Sequence, residues 1–186
     1  WELVQLAEVP GLPEPEELEL GQVDRAKLLA IFRELEFNSL INQFSEPYAS
    51  AVKFEELEGA PRAPFAATAS AEALVWAPEP GKVGFLSWED AAEALSSPFP
   101  KWTFHAKRVH KEAIRRGLRL EGVEFDLVIA DWLLEPGAEL EGVRYKETLE
   151  AFAPKYLGLK PSQEPRRRLM EEVDLVLRVK DELIEN

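Results

Sequence analysis

The chain has 186 residues, 46% hydrophobic and 31% charged, with a formal net charge of −13. That is long enough for one domain with a real core. The acidic balance argues against tight, sequence-independent nucleic-acid binding by this piece alone, and the absence of cysteine excludes disulfides and thiolate metal sites. No apolar run reaches membrane-spanning length and no signal-peptide pattern occurs, so a cytoplasmic protein is expected. The sequence opens at Trp1, its single methionine is Met170, and the last periodic stretch reaches Asn186 without a stop signal. Both ends therefore read as cut from something longer. Asparagine is confined to positions 38, 42 and 186, and fourteen prolines sit mainly in loops. That composition leans towards a thermophilic source, with a melting temperature above the mesophilic range of about 45–65 °C.

Residues 1–45 read as a linker and helical lead-in, and 46–186 as the domain proper. From Trp1 to Val23, six glutamates meet no basic residue around Pro10, Pro13 and Pro15, which is the pattern of a solvated linker. Asp24 caps a helix, DRAKLLAIFRELEF, in which Leu28, Ile31, Phe32 and Leu35 form one stripe expected to be buried. A second helix follows in LEFNSLINQF. A short helix is expected at Phe54–Glu58.

Three strand signals come next. Phe65–Ala69 is small and apolar, as a buried central strand must be where helices pack close. Glu72–Trp76 and Lys82–Trp88 flank the turn Pro78-Glu79-Pro80-Gly81 and make a hairpin. Ser87 and Asp90 form an S-x-x-D box before a short helix. Lys101–Phe104 is a fourth strand.

Phe104–Glu135 then reads as helix, turn, helix. Ala106–Arg116 is basic and solvent-facing, with Gly117 as its stop. Asp126 caps Leu127–Leu134, a run so apolar that it is expected to be buried, ended by Pro136-Gly137. Tyr145–Phe152 is a helix closed by Pro154, Leu157–Pro161 a turn, and Pro165–Ile184 a long helix. Leu169, Val173, Val176, Leu177, Leu183 and Ile184 form the buried stripe of that last helix. Strands followed by strand–helix alternation fit an α/β fold of ribonuclease H-like type, a mixed sheet flanked by helices, though order alone also permits a generic α+β sandwich.

The chemistry is sparse. No G-x-S-x-G, phosphate-binding glycine loop or H-E-x-x-H occurs. His105 and His110 are five apart and share no helical face. Glu171, Glu172 and Asp174 could in principle ligate a divalent ion. They point in different directions on a helix, however, so a solvated face is expected.

A family resemblance lies in Gly117–Leu134, GLRLEGVEFDLVIADWLL. It is similar to the GI-x-L-x-G-x-x-FD-x-x-x-A-x-YLL segment of the proofreading domain of bacterial DNA polymerase I (family A). LEFNSLINQF resembles the LEF-x-SLL element that precedes that domain. The resemblance implies a 3′–5′ exonuclease type of ribonuclease H-like fold. It also implies two Mg²⁺ ions that generate hydroxide and clamp the scissile phosphate, held by hard carboxylate oxygens. In the family these come from a D-x-E strand, a helix aspartate and a final Y-x-x-x-D.

Carried over residue by residue, Ala66 stands at the strand aspartate and Thr68 at the glutamate. Val109 stands at the helix aspartate, Glu172 at the last aspartate and Arg168 at the tyrosine. A slip of two would put Asp174 at the last position. Three of four carboxylates are then missing. The implied reading is a catalytically inactive domain with no metal, no cofactor and no catalytic residue, and the expectation is that Ala66, Thr68, Val109 and Glu172 surround a small apolar cleft. It would serve as a structural platform, a monomeric part of a DNA-directed DNA polymerase in replication and repair. Its partners would be the polymerase and 5′ nuclease domains of the same parent chain, with DNA reached through the parent. A live exonuclease using other carboxylates, and a protein-interaction module docking through the acidic face, are the competing readings.

Overall fold

A computed structural model describes residues 23–35, 37–134 and 147–185. The expected linker over 1–22, the Pro136-Gly137 stop and the start of the Tyr145 helix lie outside them. The first described elements are α1 (Arg25–Glu34), α2 (Asn38–Phe44), β1 (Glu46–Pro47) and α3 (Tyr48–Ala51). Five elements follow: β2 (Glu55–Leu57), β3 (Phe65–Ala69), β4 (Ala73–Ala77), β5 (Lys82–Ser87) and α4 (Ala91–Ser96). The chain then forms β6 (Lys101–Thr103), α5 (Ala106–Ile114), β7 (Val123–Asp126) and α6 (Leu127–Leu134). It closes with α7 (Leu149–Leu157), β8 (Leu159–Lys160) and α8 (Pro165–Glu185).

The main sheet has six strands in the order β2-β5-β4-β3-β6-β7. β3, β4 and β5 are antiparallel neighbours, while β6 runs parallel to β3 and β7 parallel to β6. All five residues of β3 are buried, as a central strand of small side chains allows. Alternation splits its side chains between two cores. Phe65, Ala67 and Ala69 join Trp76, Leu95, Val109 and Ala113 beneath α4 and α5. Ala66 joins Val75, Val173 and Val176 on the side covered by α8. Glu171 through Leu177 are buried without a break, because α8 lies on the sheet and is itself flanked by α6 and α7.

Several expectations need correction. Phe54–Glu58 is not a helix: Glu55–Leu57 pairs in parallel with Lys82–Gly84, so pairing with an existing strand outweighs the helix propensity of the glutamates. No residue of α1 is buried, and Ile31 and Leu35 are about half exposed at 49% and 52%. The apolar run of α6 is buried only at Leu127, Val128 and Asp131, leaving Ile129, Trp132, Leu133 and Leu134 exposed. Pro154 sits inside α7 rather than closing it, and the helix ends at Gly158, whose φ of 68° suits glycine. Ile184 is exposed and falls outside the buried stripe of α8.

Candidate functional site

β3 and β6 run in parallel and end side by side, with Ala67 opposite Thr103. The chain leaves β6 and turns into α5 within three residues. Asp126, at the end of β7, fixes that turn: one carboxylate oxygen accepts the Ala106 N–H at 2.6 Å, the other the Ile129 N–H at 3.2 Å. One side chain thus caps the starts of both α5 and α6, where a negative charge also suits the helix dipoles. The cap expected for α6 is present, and the second cap explains why His105 makes no side-chain cap of its own.

Just past this junction the buried Thr68 hydroxyl donates to Oε2 of Glu172 at 2.6 Å. Arg108, on the first turns of α5, donates from Nη1 to Oε1 of Glu172 at 3.2 Å, and its Nη2 contacts both Oε2 of Glu172 and the Thr68 hydroxyl. Glu172 is 6% exposed, so this fork supplies nearly all of its polar environment. The chemistry is that of a closed ion pair: a planar guanidinium matched to a carboxylate, with a hydroxyl completing the set.

The structure brings together two of the expected site residues, Thr68 and Glu172. Ala66 lies on the same face of β3, fully buried in the core with Val173 and Val176. Val109 does not join them. It packs in the core on the opposite side of the sheet, with Phe65, Ala67 and Ala113. One residue is about 100° of helix, so its neighbour Arg108 reaches Glu172 instead. The expected apolar cleft is therefore replaced by a charged, filled junction. Arg168 is not part of it: its Nη1 pairs with Glu150, whose hydrogen bond raises the guanidinium pKa above its ordinary value and lowers that of Glu150.

The solvated face expected for Glu171, Glu172 and Asp174 is also corrected, because all three are buried. Each meets different partners. Glu171 accepts the Ser162 N–H at 2.9 Å and lies 3.3 Å from Arg167 Nε. Asp174 accepts from the Tyr48 hydroxyl at 2.6 Å, the Gly81 N–H at 2.7 Å and Arg178 Nε at 2.6 Å. Burial, then the Asp174 charge, push the Tyr48 phenol far above its ordinary value. These carboxylates are structural anchors facing three ways, not a shared ligand set. Among the described residues no three His, Asp or Glu side chains are placed to hold a metal ion.

Arg108 was missed by sequence reasoning, which counted to the position beside it. A signal was present: it is the basic residue of α5 next to the buried Val109, close enough to the core to meet a carboxylate. The residues at the junction do not fit a pair of divalent ions. One carboxylate is available, and both its oxygens are already engaged by a fixed positive charge.

The fold and this junction define an α/β protein with a six-stranded mixed sheet flanked by helices. No family model and no curated protein matches the chain. Among solved structures it is similar to one described as the POL domain of Pol1 from M. smegmatis in complex with DNA primer-template and dNTP. The TM-score is 0.52 and the identity 22%, over 65% of this chain and 23% of the other. The likeness is one of fold, and the chain spans less than a quarter of that structure's length.

Among the described residues no helix is long and apolar enough to cross a membrane.

Proposed function

We propose that this chain is a catalytically inactive 3′–5′ exonuclease-like domain of a bacterial family A DNA polymerase, acting as a structural platform for the polymerase domain. The observation that carries the reading is the Arg108–Glu172–Thr68 junction. Two-metal hydrolysis needs several carboxylate oxygens free to bind Mg²⁺. Here the lone carboxylate is saturated by a guanidinium and a hydroxyl. Three antiparallel strands followed by two parallel ones support the ribonuclease H-like class. The fold likeness to a DNA polymerase structure supports the kinship. The polymerase and 5′ nuclease domains of a parent chain, a monomeric state, a cytoplasmic setting and a thermophilic source belong to the same proposal.

The test is a 5′-labelled single strand incubated with the purified chain and Mg²⁺ or Mn²⁺. The strand is expected to survive intact. Metal-dependent shortening from the 3′ end that disappears in Glu172→Ala would overturn the reading and favour a live proofreading enzyme.

A further inference from the structure

The net charge of −13 hides a strong asymmetry. Between His105 and Arg119 there are six Lys and Arg and one acid, Glu112, while the rest of the chain carries sixteen bases against thirty-four acids. The rotation of α5 is fixed by Val109 and Ala113, both fully buried. The opposite side of the helix therefore presents Lys107, Lys111 and Arg115, all exposed, at i, i+4 and i+8. Successive members of this ridge rise by about 6 Å along the helix. Lys107 and Lys111 have no ion-pair partner among the described residues, and Arg115 shares the single carboxylate of Glu112 with Arg116. The other dense basic run, Arg166 to Arg168, is spent on Glu56, Glu171 and Glu150.

We infer that the outer ridge of α5, Lys107, Lys111 and Arg115, is a contact surface for the phosphate backbone of a nucleic acid. A regular row of exposed cations, two of them without an ion-pair partner among the described residues, complements a regular row of anions. A strand carries one phosphate per about 3.4 Å of helix axis, so the ridge spans about three of them. An acidic molecule can bind a polyanion locally when its charges are segregated, because the field near the patch, not the total charge, decides the encounter. Arg108 flanks this ridge on the same helix and engages both oxygens of Glu172, so binding here positions a nucleic acid beside a junction that offers no free carboxylate for hydrolysis. The choice of nucleic acid over an acidic protein segment rests on the proposed polymerase kinship.

The experiment is fluorescence anisotropy of labelled single-stranded and duplex oligonucleotides with the full 186-residue chain, in EDTA, between about 50 and 200 mM salt. A Lys107→Gln, Lys111→Gln, Arg115→Gln triple variant is compared with a charge-matched control, Lys53→Gln, Arg62→Gln, Lys160→Gln. Circular dichroism verifies that both fold. The ridge variant is expected to lose about tenfold or more in affinity at the lowest salt. Its log–log salt slope should flatten by about two to three, close to one for each phosphate no longer neutralised. The control should match the parent. Equal affinity and slope in the ridge variant overturn the proposal, as does no binding by the parent at the lowest salt. A polyglutamate peptide that displaces the oligonucleotide at lower charge concentration would reassign the ridge to a protein partner, which also overturns it. Because EDTA removes divalent ions, the result is independent of the nuclease assay, whose failure alone would sink the inactive-domain reading.

Discussion

Tyr48 and Asp174 are 126 positions apart in sequence and joined by a 2.6 Å hydrogen bond from the phenol to the carboxylate. Both are fully buried. Through Asp174 the short helix α3 is tied to α8, and through the Gly81 N–H the same carboxylate holds the β4–β5 turn. Three segments therefore depend on one anion, which is stable in the interior only because all its donors are present. Tyr48→Phe removes one donor of three and should cost about 1–2 kcal/mol. Asp174→Ala strands the others, Arg178 included, and should cost about 3–5 kcal/mol. Urea denaturation measures both, and equal losses for the two variants would refute the hub.

Gly84 faces the ring of Trp76 on the neighbouring strand. A Cβ there would lie 2.3 Å from the indole nitrogen, far inside van der Waals distance. Gly84→Ala should push the indole off the sheet, costing about 1–3 kcal/mol as other overpacked cores do. The tryptophan emission should shift as the ring gains water. A neutral substitution with unchanged emission would show that the ring has room to move.

The sheet was legible where composition and punctuation agreed. Phe65–Ala69 has only small or apolar side chains, and Pro78-Glu79-Pro80-Gly81 marks the hairpin turn. β7 was missed because Val123-Glu124-Phe125-Asp126 offers two apolar residues in four, and its pairing with β6 is set by residues over twenty positions away. The acids of α8 were misread for a related reason. Glu172 and Asp174 are buried by Thr68, Arg108 and Tyr48, partners that no local window contains. The exposed side of α6 shows the converse: an apolar run does not say which of its faces finds a neighbour. At the junction, the error was one residue in α5, and on a helix one residue separates two sides of a sheet.

Glu171 carries a pH dependence of known sign. Burial pushes its carboxyl above the ordinary value of 4.5, against the lowering pull of the Ser162 N–H and Arg167. The native state therefore keeps a proton that the unfolded chain has already released. Stability from this group is full below about 4.5 and is lost as pH rises through the raised native value. Glu171→Gln keeps an oxygen for Ser162 without the charge. Its stability relative to the parent should improve as pH rises from acid to neutral and then level off. Denaturation midpoints of the two proteins across that range decide it, and a pH-independent difference would count against this account.

Arg108 and Glu172 should be coupled, and the coupling should stand in for a metal. Glu172 is 6% exposed, so Arg108→Met leaves a buried carboxylate with one hydroxyl partner, Thr68. The loss should be about 2–3 kcal/mol, in line with hydrogen bonds to charged groups. Glu172→Gln in that background should recover part of it, because the stranded charge is gone. The double-mutant cycle should then give a coupling of about 1–3 kcal/mol. Magnesium supplies a second readout. An ion that binds only the native state raises its stability by mass action. With Arg108 in place both oxygens of Glu172 are taken, so the parent should unfold at the same temperature with or without Mg²⁺. Removing Arg108 frees Oε1 and leaves Oε2 with the Thr68 hydroxyl, but adds no second carboxylate, since Ala66 supplies none, and Mg²⁺ held by a single carboxylate keeps most of its water. Arg108→Met should therefore gain little from Mg²⁺. A saturable, Mg²⁺-dependent rise in the unfolding midpoint of the parent would mean that the guanidinium yields to the ion and that this junction is a metal site after all.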